Sequence, residues 1–200
     1  MMHRGTSLLE AEKVGILVHG RGSTAQQILG LADYLNLTGF ALLAPEAPGN
    51  TWYPYSFMAP ISQNQPHLDR ALNQIDQVVA SCIAQGKSKE QLYLIGFSQG
   101  ACLTLEYTTR NAASYGGIIA FTGGLIGEKL DTTRYKGDFA QTPLFIGASH
   151  KDMHVPLSRI EETELLLQSM NAKVHKAIFP DNYHTIREDE IKWVNQHILS

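Results

Sequence analysis

Short apolar runs alternate along this chain with longer stretches in which apolar residues recur every three or four positions. The runs Val14 to Val18, Phe40 to Ala44, Leu92 to Ile95, Gly117 to Phe121, Pro143 to Ile146 and Val174 to Phe179 are apolar with little alternation, as expected of parallel strands buried on both faces. The last of them includes His175 and Lys176, which suits an edge of the sheet better than its centre. Between the runs, Ile28, Leu31, Ala32 and Leu35 form one apolar helical face ending near Gly39. Leu68, Ala71, Leu72, Ile75, Val79, Cys82 and Ile83 continue the same period until Gly86, which is placed to cap the helix. Further helices are expected from Gln99 to about Asn111, from about Leu157 to Met170, and from Glu188 to Ile198, where three acidic residues suit the helix dipole.

This alternation predicts an α/β protein with a mostly parallel central sheet of about six to seven strands and helices on both faces. The 200 residues fit a single domain, 1–200, and no insertion is long enough to build a large cap. The stretch from Glu46 to Gln65 is too long for an ordinary connection and carries Trp52, Tyr53, Tyr55, Phe57 and Met58. It is expected either to cover a site or to pack against the body through its large rings.

Composition narrows the partners. A net charge of −3 without any Lys/Arg cluster argues against nucleic acid and against anionic lipid, and leaves a substrate of little charge. Met1 to Lys13 lacks the apolar core of a secretion signal, and no apolar run approaches the roughly 20 residues of a membrane span. A cytoplasmic protein without stable membrane insertion is expected. Cys82 and Cys102 both fall in expected helices, so two free thiols in a reducing compartment are preferred to a disulfide. Exposed aromatic and Met residues leave a homodimer contact open.

The chemistry centres on Gly96-Phe97-Ser98-Gln99-Gly100, a G-x-S-x-G between an apolar strand and a helix. A nucleophile on a tight strand-to-helix turn needs small neighbours, because the helix must pass close to the strand. The competing role for Ser98 is a simple helix cap. A serine nucleophile requires a base, and the base a carboxylate to hold its tautomer. Asp152 follows the strand ending at Ile146, and His184 follows the strand ending near Phe179. Both would emerge at the carboxyl edge of the sheet, where open α/β sheets bind ligands. Asp181 is an alternative acid, although it shares a loop with His184. His150 and His154 flank Asp152, so His150, Asp152, His154 and His184 also form a possible metal-ligand set. The oxyanion of a tetrahedral intermediate needs two N–H donors. Gln99 should supply one, and Arg21, in His19-Gly20-Arg21-Gly22, the other.

HGRG at 19–22, LAPEAPGNTWYP at 43–54, GFSQGA at 96–101, and Asp152, Val155 and Pro156 within KDMHVP together resemble the phospholipase/carboxylesterase family of α/β hydrolases. The likeness runs from about Gly15 to the C-terminus. It implies the α/β-hydrolase fold, a catalytic triad of Ser98, Asp152 and His184, an oxyanion hole from the backbones of Arg21 and Gln99, and no cofactor. One departure stands out: the family has glycine-rich residues before its histidine, where this chain has Asp181-Asn182-Tyr183.

The expected activity is that of a serine carboxylesterase acting on a small-molecule ester of short to medium acyl length. Trp52, Tyr53, Phe57, Met58, Met153 and Tyr183 are expected along the substrate pocket, with Tyr183 shortening it. An acyl thioesterase or lysophospholipase of the same mechanism, a metal-dependent hydrolase, and a non-catalytic binding protein of the same fold are the alternatives.

Overall fold

A computed structural model describes residues 1–200. Seven strands, β1 (Met2–Gly5), β2 (Val14–Val18), β3 (Ala41–Ala44), β4 (Leu92–Phe97), β5 (Gly117–Phe121), β6 (Pro143–Ser149) and β7 (Lys173–Phe179), form one sheet in the order β1-β3-β2-β4-β5-β6-β7. All pairs are parallel except β1 with β3. The helices are α1 (Ala25–Leu29), α2 (Ile61–Asn64), α3 (His67–Ala84), α4 (Gln99–Arg110), α5 (Leu157–Ser169) and α6 (Glu188–His197).

Successive side chains of a strand point to opposite faces, so the central strands feed two cores. Ile16, Leu94, Ile118 and Leu144 join α3, α4 and α5 on one side. Leu17, Ile95, Ile119 and Phe145 join the smaller α1 and α6 side. This is the α/β-hydrolase arrangement, and no large cap covers the sheet. No helix is long and apolar enough to cross a membrane.

Local chemistry accounts for the element ends. Thr24 caps α1 by accepting from the Gln27 N–H at 3.1 Å. Gly86 takes φ of 87° after α3, and the Gly86 and Lys87 N–H groups close back onto Ile83 and Cys82.

Several expectations need correction. The stretch read as a helix running to near Gly39 is only α1 plus a 3₁₀ turn over Gly30–Asp33. Ile83 is 44% exposed and lies outside the buried row of α3, which ends at Cys82. Phe40 lies just outside β3, and β6 runs on to Ser149. Strand β1 and the short α2 were not foreseen. The residues of β1 are all exposed, so hydrophobic pattern could not reveal a strand held only by its ladder to β3. β7 is the edge strand at the other side, as expected.

Glu190 of α6 is a costly residue for this core. It is 1% exposed, its Oε2 accepts from the Arg187 N–H at 2.7 Å, and its Oε1 has no partner. Burial pushes its carboxyl up to about 7, from an ordinary 4.5. The folded state therefore holds the proton more tightly than the unfolded chain. The associated stability is complete below pH 4.5 and is lost as pH rises through about 7. The loss should reach on the order of 3 kcal/mol. Glu190→Gln should raise the denaturation midpoint at pH 8 and leave it nearly unchanged at pH 4, as measured by urea titration at both pH values.

Candidate active site

The carboxyl ends of four parallel strands supply this site. Ser98 follows β4 directly, and its backbone, with φ 55° and ψ −119°, lies where non-glycine residues are strained. The strain persists because the turn is held on both sides: the Ser98 N–H donates to Phe121 O at 3.0 Å, and Ser98 O accepts from the Cys102 N–H at 3.0 Å. A Cβ at Gly96 would lie 2.4 Å from Gly100 O, and one at Gly100 would lie 2.1 Å from Val18 O. Only glycine fits either position. Ser98 holds the N-cap position of α4, but its side chain makes no capping bond.

The Ser98 Oγ instead lies 2.7 Å from His184 Nε2, and His184 Nδ1 lies 2.7 Å from Asp152 Oδ2. The other oxygen, Asp152 Oδ1, accepts from the N–H groups of His154 at 2.7 Å and Val155 at 3.1 Å. The Asp152 side chain is wholly shielded from solvent. With Nδ1–H directed at a carboxylate, Nε2 is left to accept from the serine hydroxyl. The His184 ring lies 5.5 Å from the ring of Phe97 and 5.1 Å, edge-on, from that of His154.

Asp181, the alternative acid, is engaged elsewhere. Its Oδ1 accepts from the Tyr183 N–H at 3.0 Å and from Arg187 Nη2 at 2.5 Å, and these bonds hold its carboxyl below the usual range despite opposing desolvation. The metal-ligand alternative also fails on geometry. No three His, Cys, Asp or Glu side chains gather in a ligating arrangement, since both ring nitrogens of His184 face Asp152 and Ser98.

Arg21 and Gln99 flank the serine, one after β2 and one opening α4. As the first residue of a helix, Gln99 has an N–H with no acceptor inside it. The Arg21 side chain, which the sequence left undetermined, turns onto the aromatic loop and donates to the carbonyls of Tyr53, Pro54 and Tyr55 at 2.8–2.9 Å. Gln99 grips the same loop, accepting from the Trp52 N–H at 3.0 Å and donating to Tyr53 O at 2.8 Å.

A cavity of about 660 Å³ opens beside Ser98 and His184. Tyr53, Phe57 and Met153 line it as expected; Trp52, Met58 and Tyr183 do not. Trp52 is buried behind the loop, with its indole N–H on His19 O at 2.8 Å, so it is a packing residue. Met58 packs against the main core. Tyr183 is 66% exposed, because its backbone carbonyl, held by Ser149 and Arg187, leaves the ring outside. Sequence reading missed Arg21 as a wall through its side chain, along with Tyr55, Cys102, His154 and Val155. Burial pushes the Cys102 thiol up to about 12, so it stays protonated and is no rival nucleophile.

Arg187 gives the histidine loop its shape. Its Nη2 donates to Ser149 Oγ at 2.7 Å, Asp181 Oδ1 at 2.5 Å and Tyr183 O at 3.3 Å. Its guanidinium lies 4.3 Å from the centre of the Phe179 ring. One mostly buried cation thus joins the end of β6, which leads to Asp152, to the loop carrying His184.

A model of the phospholipase/carboxylesterase family matches residues 7–200. A crystal structure of a phospholipase/carboxylesterase from Dyadobacter fermentans is 54% identical and superposes with a TM-score of 0.98 over 100% of this chain and 95% of that one. Among curated proteins, a probable carboxylesterase SOBER1-like protein of Arabidopsis thaliana is 24% identical over 69% of this chain and 54% of its own length. Acyl-protein thioesterase 1 of Saccharomyces cerevisiae is 26% identical over 65% of this chain and 60% of its own. The chain therefore spans little more than half the length of these two curated relatives.

Replacing Arg187 by Ala should remove several charge-assisted bonds and cost about 2–4 kcal/mol. Amide exchange at Lys151 and Tyr183, whose N–H groups bond to Asp181, should accelerate more than exchange in β4 or β5. Equal acceleration everywhere would show that Arg187 supports the whole fold rather than this loop.

Proposed function

The chain belongs to the phospholipase/carboxylesterase family, and from that premise we propose that it is a serine carboxylesterase working through an acyl-enzyme. The observation that carries the reading is the unbroken row Ser98–His184–Asp152, with both contacts at 2.7 Å. His184 Nε2 takes the Ser98 proton as Oγ attacks the ester carbonyl, and Asp152 stabilises the imidazolium through Nδ1–H. The N–H groups of Gln99 and Arg21 receive the oxyanion. His184 then passes its proton to the leaving oxygen, the alcohol departs, and a water deprotonated by His184 attacks the acyl-enzyme to release the acid and restore Ser98.

The substrate is a neutral ester of short to medium acyl length. The reason differs from the one the sequence suggested, since Tyr183 stands outside the cavity. Tyr53 and Cys102, 1% and 2% exposed, close its floor, and the carbonyl clamps of Arg21 and Gln99 hold the aromatic wall in place. A thioester fits the same machinery, and the acyl-protein thioesterase among the relatives keeps it as the second reading.

Ser98→Ala should lower kcat by about 10³-fold or more with an unchanged thermal midpoint. Ester hydrolysis surviving within about tenfold in the folded variant would overturn the covalent route. Asp152→Asn should cost far more activity than Asp181→Asn, and the reverse ranking in folded proteins would move the acid role to Asp181.

Each buried methylene contributes about 0.8 kcal/mol, so kcat/KM should climb with acyl length until the cavity is filled and then fall. A series from acetyl to palmitoyl esters, presented as monomers, measures this directly. A monotonic rise to palmitoyl would reject the closed floor.

A further inference from the structure

An ester has two arms, and the site just described accounts for one. A second cavity, about 470 Å³, shares no lining residue with the first. Its walls include Gly20, Leu31, Tyr34, Phe97 and Ile186. Three of these border the reacting groups. Gly20 precedes Arg21, and a Cβ added there would lie 3.4 Å from the Ser98 Cβ. Phe97 precedes Ser98 and flanks the His184 ring at 5.5 Å. Ile186 comes two residues after His184. His184 and His154 line the first cavity, and Phe97, whose ring lies 5.5 Å from that of His184, lines the second.

We propose that this groove between α1 and the Phe97–Ile186 pair is the leaving-group subsite, built for an uncharged alcohol with an aromatic or alkyl body. The assignment rests on the serine-esterase reading and deepens it. Chemistry decides which arm goes where. The acyl half stays bonded to Ser98 until water arrives, so it suits the floored cavity. The alcohol must depart first, after its oxygen has taken the proton from His184 Nε2, and so suits the groove more open to solvent. The ligand's charge follows from the walls. Asp33, the groove's acidic residue, is paired with Arg4, which leaves no unopposed charge to select an ion. Leu31, Tyr34, Phe97, Ile28 and Ile186 offer apolar surface. Gln27 accepts from Ser23 and Thr24 through its carbonyl oxygen, which directs its amide N–H groups outward as donors to a polar substituent.

The test holds the acyl group constant and varies an aliphatic alcohol. Wild-type kcat/KM for 2-phenylethyl butyrate should exceed that for ethyl butyrate by about tenfold or more, the gain expected from burying a phenyl group. Leu31→Trp should bring that ratio close to one by filling the groove, and the exposed Tyr34→Ala should lower it several-fold. Phe57→Ala, on the other cavity, should shift the acyl-length optimum and leave the alcohol ratio as it was. A wild-type ratio within about twofold of one, or a ratio that neither groove variant alters, would overturn the subsite. Tyr34→Ala keeps the test decisive if Leu31→Trp does not fold. Hydrolysis of ethyl butyrate persisting in Ser98→Ala would instead refute the esterase mechanism beneath it.

Discussion

Where α4 begins, Gly100 passes so close to the end of β2 that an added Cβ would lie 2.1 Å from Val18 O and 2.5 Å from His19 O. That approach ties the serine turn to the loop after β2 and sets the relation between Ser98 and Arg21. It also forces β4 to enter α4 without a relaxing residue, which is why Ser98 keeps a positive φ. Strain of about 1–3 kcal/mol survives only where the surroundings over-determine it. Here the Phe121 carbonyl, the first turn of α4 and the two glycines all do so. Ser98 thereby meets His184 and Asp152, which the loops after β7 and β6 deliver to the same sheet edge.

The same constraint spreads outward through side chains that perform two tasks. Arg21 and Gln99, whose backbones we assign to the oxyanion, bind the carbonyls and an amide of the Trp52–Tyr55 segment through their side chains. Buried His19 accepts from the Ala47 N–H and lies against Trp52 at 4.9 Å. A long connection would ordinarily be mobile. This one is fastened from within, by Arg21 and Gln99 at the site it borders, so the shape of the cavity wall and the positions of those two residues cannot vary independently. A side chain that perturbs the wall should therefore be felt at the chemistry as well as in substrate binding.

How much of this could be read from sequence follows from how local each signal is. The five central strands were visible because burial on both faces makes them continuously apolar, and β7 because its polar residues marked an edge. β1 was invisible, since its only bond to the protein is a ladder of backbone pairs and Arg4's contacts with Leu29 O and Asp33. The residues Ser98, Asp152 and His184 could be proposed because each follows a strand in a fixed order. Their juxtaposition is long-range, over 86 and 32 positions, and only coordinates reveal it. The pocket was the least readable part. Trp52, Tyr53, Met58 and Tyr183 are all large apolar or aromatic side chains in suitable loops, yet which of them faces the cavity is decided by backbone direction at single residues.

The histidine loop shows how such a decision is made. Glycine-rich chain would reach the base by conformational freedom; Asp181-Asn182-Tyr183 has little of it and must be bent by bonds instead. Arg187 provides them, drawing Asp181, the Tyr183 carbonyl and Ser149 to one guanidinium while Phe179 covers its face. Because Ser149 ends β6, the cation ties the loop that carries His184 to the strand that leads to Asp152. The arrangement leaves a cost nearby. The α6 N-terminus that presents Arg187 also buries Glu190 beside Gly147, with one oxygen unpaired. A buried acid in the first turn of the helix holds the Arg187 backbone through its other oxygen, so this unpaired buried group is coupled, through Arg187, to the loop that carries His184.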